Sequence, residues 1–223
     1  MARRTRIKIC GITRMEDLHA AVDAGADAVG FVFYEKSPRY VAPSDAAVLI
    51  AALPPFVTPV GLFVNADPRQ VAEIVAHAPV SLLQFHGDET PGQCADASAT
   101  VNRNFMRAVR IGSSTSRGDL LKCELDYRAA GRYFSGLLLD ALVEGYGGGG
   151  RTFDWSLIPE ELAPRAVLSG GLNAHNAADA VTRVRPYAVD VSSGVESAKG
   201  IKDAGKIKAF IDAVRSADRA GGE

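Results

Sequence analysis

The chain has 223 residues, 47% hydrophobic and 23% charged, which supplies a large buried core and excludes a disordered chain. Its 25 Lys and Arg stand against 26 Asp and Glu, a formal net charge of -1, so the bulk electrostatic attraction that nucleic acid or anionic lipid partners draw on is missing. No run approaches the roughly 20 apolar residues of a membrane span, and three cysteines, Cys10, Cys94 and Cys123, cannot build a disulfide framework.

The basic start of the chain has Lys8 interrupting its apolar stretch, so no secretory signal is read and a cytoplasmic location is expected. Residues 7–10 then read as the first strand. Thr13 followed by Glu16 predicts a capping box opening a helix over 15–24, with Gly25 as its left-handed stop. A strand at 28–33, a helix at 44–53 and a strand at 59–64 follow. Asp67-Pro68 predicts the start of a helix over 68–77, Asp as cap and Pro in the first turn.

Further strands are read at 81–85, 105–111, 134–140, 166–169 and 188–191, with helices at 176–183 and 202–214. The fourth, fifth and sixth helices carry no clear pattern, because Pro91, Gly118 and Pro159 interrupt them. Eight alternations of strand and helix predict one closed (β/α)8 barrel over residues 1–223, since closure removes both sheet edges. Six or seven strands would instead give a doubly wound sheet.

A barrel of this kind places its active site at the carboxyl ends of the strands. With a side-chain period of two, Ile7 and Ile9 turn outward while Lys8 and Cys10 face the axis. Leu137 and Leu139 likewise turn out and leave Gly136, Leu138 and Asp140 inside, and Val189 with Val191 turns Asp190 inward. A carboxylate facing inward after three leucines is costly to bury unless it is paired or used. Cys10 taken alone reads first as a small buried hydrophobe and only second as a catalytic group, and Cys94 and Cys123 read as structural.

Gly170, Gly171 and Gly194 let the backbone approach an anion after strands seven and eight, where Ser193 adds a hydroxyl, so these four predict a phosphate cradle. The run from Gly145 to Thr152 nearly spells a phosphate-binding loop. Arg151 replaces the required Lys and no long helix follows, so a lid hinged on glycines is the better reading. The four histidines show no metal-ligand spacing with Cys or acids, and no metal is expected.

Several motifs together resemble the phosphoribosylanthranilate isomerase family of tryptophan biosynthesis: Lys8-Ile-Cys-Gly-Ile-Thr13, Ser37-Pro-Arg-Tyr-Val41, Gln84-Phe-His-Gly-Asp-Glu89, Leu139-Asp-Ala141, Ser169-Gly-Gly-Leu-Asn173 and Val189-Asp-Val-Ser-Ser-Gly-Val-Glu196. The resemblance implies a cofactor-free Amadori rearrangement, an aldose–ketose isomerisation of a small phosphorylated sugar-anthranilate by a monomer or homodimer. It implies Asp140 as general acid and Cys10 as general base, with Arg39 gripping the anthranilate carboxylate and Asp190 binding ribose hydroxyls or the substrate nitrogen.

Those roles need a protonated carboxyl and an ionised thiol, the reverse of what free Asp and Cys favour near neutral pH. Lys8, facing inward, is the expected source of the positive surroundings that lower Cys10. The chain departs from the family pattern at Gly149, where Thr is usual, and over 94–104. A histidine-pathway sugar isomerase would carry Asp in place of Cys10 and a pentose-phosphate epimerase metal ligands. A non-catalytic sugar-phosphate-binding barrel is the alternative from another class.

Overall fold

A computed structural model describes residues 4–142 and 152–221. Eight strands pair in parallel in chain order: β1 (Arg6–Cys10), β2 (Ala28–Val32), β3 (Thr58–Phe63), β4 (Leu82–Phe85), β5 (Asn104–Ile111), β6 (Phe134–Ala141), β7 (Val167–Leu168) and β8 (Ala188–Val191). β8 returns to pair with β1, with Lys8 opposite Asp190, so the expected closed barrel is formed. The glycine run at 147–150 and the lid read into it lie outside the described residues.

The period-two reading of the faces is correct. Ile7, Ile9, Leu137, Leu139, Val189 and Val191 join the outer core beneath the helices, while Val60, Met106, Ala108, Leu138, Val167 and Ala188 fill the barrel centre. Above them Cys10, Val32 and Leu62 form a separate layer at the carboxyl ends of the strands. On the outer face Phe33, Phe63, Phe85, Phe105 and Phe134 make an aromatic belt, successive ring centroids lying 5.5, 6.1, 5.6 and 5.6 Å apart. Tilted and edge-on contacts of this kind add to the apolar burial that seats the helices.

Seven helices surround the barrel among the described residues: α1 (Met15–Asp23), α2 (Pro43–Ala51), α3 (Pro68–His77), α4 (Pro91–Val101), α5 (Arg117–Ala129), α6 (Ala177–Val184) and α7 (Ala204–Ala220). α3 begins as its sequence predicts, with Asp67 accepting from Gln70 N at 2.8 Å and Gln70 Oε1 accepting from Asp67 N at 3.0 Å. The capping box at Thr13 does not form. The cap of α1 is Arg14, without a side-chain bond, because the Thr13 hydroxyl donates instead to Gly200 O at 2.9 Å. Gly25 does take the positive φ of a helix stop, at 96°.

Two helices that were unreadable in the sequence owe this to residues in their first turns. Pro91 occupies the start of α4 behind a Thr90/Gln93 capping box, and Gly118 sits one residue into α5 behind Ser116 and Asp119. At such positions the missing N–H of proline breaks no bond. Between β6 and β7 only two short 3-10 turns form among the described residues, at Trp155–Leu157 and Ala163–Arg165.

The last helix starts later than the pattern indicated. Lys202 belongs to a short antiparallel hairpin, β9 (Glu196–Ala198) and β10 (Ile201–Lys202), that precedes α7. Among the described residues no helix is long and apolar enough to cross a membrane.

Candidate active site

A cavity open to solvent lies at the carboxyl ends of the strands and is lined by Cys10, Arg39, Gln84, His86, Asp140 and Asp190 among others. Cys10 and Asp140 come from strands three apart around the barrel, β1 and β6, and meet on this one cavity because both stand near the end of a strand in the inward register. Gly30 on β2 makes room for the first of them. A Cβ there would lie 2.8 Å from Cys10 Sγ and 3.1 Å from Lys8 Nζ.

Beneath Cys10, Lys8 Nζ donates to Asp190 Oδ1 at 2.8 Å in a buried ion pair. Burial opposes the Lys8 charge, yet Asp190 and Cys10 together hold the ammonium above its ordinary range. Burial likewise pushes the Cys10 thiol up; Lys8 and, more weakly, Lys202 pull it down, while Asp190 adds to the rise. Lys8 therefore acts in the direction expected of it but does not prevail. The net effect on Cys10 is upward, contrary to the expectation of a lowered thiol.

Asp140 is held by three elements. Its Oδ1 accepts from Ala141 N at 2.9 Å, and its Oδ2 lies 3.0 Å from His86 Nε2. Gly170, with φ 81°, lets the loop after β7 pass directly over the carboxyl, since a Cβ there would come within 2.8 Å of Oδ1 and 2.4 Å of Ala141 N. Only a residue without Cβ fits both the conformation and the approach.

Arg39 reaches the cavity from the loop after β2 and is braced from behind by a bidentate pair with Glu196, Nε to Oε1 at 2.7 Å and Nη2 to Oε2 at 2.9 Å. Glu196 also accepts from Lys202 Nζ at 3.0 Å. Burial works against the Glu196 charge, but Arg39 and Lys202 hold its carboxyl below the usual range. Lys202 is lowered by burial despite Glu196. Two cations around one carboxylate leave an excess positive charge at this wall, suited to an anionic group.

Gly170, Gly171 and Ser193 line the cavity near the same end. Their backbone N–H groups donate to no acceptor among the described residues. Gly194, singled out with them, does not line the cavity; it lies beneath, where a Cβ would meet Leu172 O at 1.9 Å.

The family model of N-(5'-phosphoribosyl)anthranilate (PRA) isomerase matches residues 7–213. The chain belongs to the PRA isomerase family. An N-(5'-phosphoribosyl)anthranilate isomerase of Herminiimonas arsenicoxydans is 66% identical over 220 residues, covering 99% of this chain and 97% of the relative. The crystal structure of phosphoribosyl anthranilate isomerase from Thermotoga maritima superposes with a TM-score of 0.83 at 43% identity, covering 95% of this chain and 99% of that one. A phosphoribosyl anthranilate isomerase solved with reduced 1-(o-carboxyphenylamino)-1-deoxyribulose 5-phosphate gives 0.81 at 41% identity, over 95% of this chain and 99% of that chain.

Within this PRA isomerase fold, Cys10, Asp140, Asp190, Gly170, Gly171 and Ser193, read from the strand ends, share one cavity with Arg39, which the family resemblance alone had pointed to. Sequence reading passed over the side chains that hold them. Gln84 on β4 and His86, the residue just after it, alternate with outward Leu83 and Phe85, so the same parity that found Asp140 applies to them. Glu196 and Lys202 gave no such signal, because they come from the hairpin β9–β10, outside the barrel strands.

Proposed function

We propose that this chain catalyses the Amadori rearrangement of N-(5'-phosphoribosyl)anthranilate to 1-(2-carboxyphenylamino)-1-deoxyribulose 5-phosphate. The observation that carries this reading is the meeting of Cys10 and Asp140 on one cavity in a chain of the PRA isomerase family.

Asp140 is the general acid. It protonates the furanose ring oxygen, the C1–O bond breaks, and the anilino nitrogen pushes its lone pair in to form an iminium. Cys10, in its thiolate form, which burial disfavours and Lys8 and Lys202 favour, then takes the C2 proton, and the electron pair of that C–H bond neutralises the iminium to give an enolamine. Protonation at C1 together with loss of the proton from the C2 hydroxyl then converts the enolamine to the ketone. General acid–base catalysis of this kind requires each proton to move within hydrogen-bond reach of a positioned side chain, and Cys10 and Asp140 line one cavity.

The binding roles follow from charge and geometry. With Nε and Nη2 of Arg39 engaged by Glu196, the remaining Nη1 edge is the donor for the anthranilate carboxylate. The N–H groups of Gly170, Gly171 and Ser193, with the Ser193 hydroxyl, receive the phosphate. Asp190 binds the ribose hydroxyls or the substrate nitrogen while Lys8 balances its charge.

The test is to follow the fluorescence of phosphoribosylanthranilate on adding the protein. Catalytic loss of signal with formation of the ketose supports the reading. Saturable binding without turnover would make the chain a sugar-phosphate-binding barrel instead.

A further inference from the structure

The carboxamide of Gln84 sits at the far end of a chain of polar groups that ends on Asp140. Gln84 is fully buried and lines the cavity. Its Nε2 lies 3.0 Å from His86 Nδ1, and His86 Nε2 lies 3.0 Å from Asp140 Oδ2. The opposite end of the amide, Oε1, is buried with no hydrogen-bond partner among the described residues.

A carboxamide nitrogen donates and does not accept, so His86 Nδ1 facing it must offer its lone pair. The ring proton is then on Nε2, pointing at Asp140, and the tautomer is set by the bond made at the other nitrogen. An Nε2–H donor gives Asp140 Oδ2 a hydrogen bond that remains in place once the acid has given its proton to the ring oxygen. The reverse tautomer would turn a lone pair towards that same carboxylate. Oε1 is an acceptor without a donor, costly while it stays so, and a sugar hydroxyl or the anilino N–H of the ligand is the group able to complete it.

We propose that Gln84 is a two-ended positioning residue: Nε2 holds His86 as the Nε2–H tautomer that donates to Asp140, and Oε1 receives a hydrogen bond from the bound sugar-anilino substrate. This rests on the reading of Asp140 as the acid. The other charged groups around the chain are Arg110, beside Asp140 on β5 and paired with Asp88, and Cys10, Lys8 and Asp190 across the barrel. None of them bonds to either ring nitrogen of His86 among the described residues.

The experiment is 15N NMR of the His86 ring in the wild-type protein, in Gln84→Glu and in Gln84→Met, alone and with reduced 1-(o-carboxyphenylamino)-1-deoxyribulose 5-phosphate as probe. Wild type is expected to show a protonated Nε2 and an unprotonated Nδ1 in both states. Gln84→Glu keeps the volume and an acceptor oxygen but places a carboxylate at Nδ1, so Nδ1 becomes protonated. Its kcat falls about tenfold to a hundredfold with little change in KM. Gln84→Met loses both ends of the amide, so kcat falls and KM rises.

A wild-type ring protonated on Nδ1, or a Gln84→Glu protein with unchanged tautomer and kcat, overturns the proposal. If neither variant folds, the wild-type spectrum still decides it. The tautomer is read without turnover, so a chain that failed to convert phosphoribosylanthranilate would refute the assigned reaction and leave the tautomer result standing.

Discussion

Lys8 and Asp190 face each other across the seam where β1 meets β8, their Nζ and Oδ1 atoms 2.8 Å apart and their side chains each 5% exposed. The contact that closes the barrel is therefore also the charged floor of the cavity, directly below Cys10. Hydrophobic closure alone would serve the fold equally well, since a buried ion pair gains little over apolar packing. Its placement makes sense as a fixed field under the thiol.

Removing one partner of that pair strands a buried charge. Lys8→Met is expected to cost about 3–5 kcal/mol of folding stability, and Lys8→Met/Asp190→Asn to recover most of it. Urea unfolding followed by circular dichroism measures both; equal stability of wild type and Lys8→Met would remove the pair from the fold's energetics.

Cys10 has its thiol raised by burial, with Lys8 opposing. Alkylation by iodoacetamide needs the thiolate, so modification of the Cys10 peptide, read by mass spectrometry, should rise only above the ordinary thiol midpoint of about 8.5. Loss of the Lys8 charge in Lys8→Met moves that rise to still higher pH. The sign for stability follows: the neutral buried thiol stabilises the fold below the ordinary value, and this contribution is lost as pH climbs through the raised one. An alkylation profile identical in wild type and Lys8→Met would take Lys8 out of the mechanism.

Arg39→Lys keeps the charge but loses the fork that grips Glu196 and that the proposed function offers to the substrate carboxylate. KM for phosphoribosylanthranilate should rise about tenfold or more, with kcat much less affected. Steady-state kinetics separates the two constants, and a change confined to kcat would contradict a carboxylate-binding role.

Gly170→Ala puts a methyl 2.8 Å from Asp140 Oδ1 at a φ of 81°. The strain is about 1–3 kcal/mol, and the displaced acid should lower kcat in protein that remains folded at 25 °C. Thermal melts paired with activity assays test this, the idea failing if kcat is untouched.

The barrel was legible because its strands carry a strict period. Leu137 and Leu139 packing outward force Asp140 inward, and one register error would have reversed both. What escaped notice had competing local chemistry. Thr13 has the spacing of a cap but finds Gly200 O across the chain, 187 residues away, a partner no local pattern reveals. Pro91 looks like a breaker and is a helix opener. The Arg39–Glu196–Lys202 cluster joins residues 157 positions apart through a hairpin with no periodic signature. Gly194 also answers a constraint the sequence does not show, a close approach of Leu172 O that leaves no room for a Cβ.

The measurement that bears most directly on the shared roles of Cys10 and Asp140 is phosphoribosylanthranilate turnover by wild type, Cys10→Ser and Asp140→Asn at matched concentrations of folded protein. Each substitution is expected to slow turnover by roughly 10²-fold or more. Near wild-type rates in both variants would contradict the account.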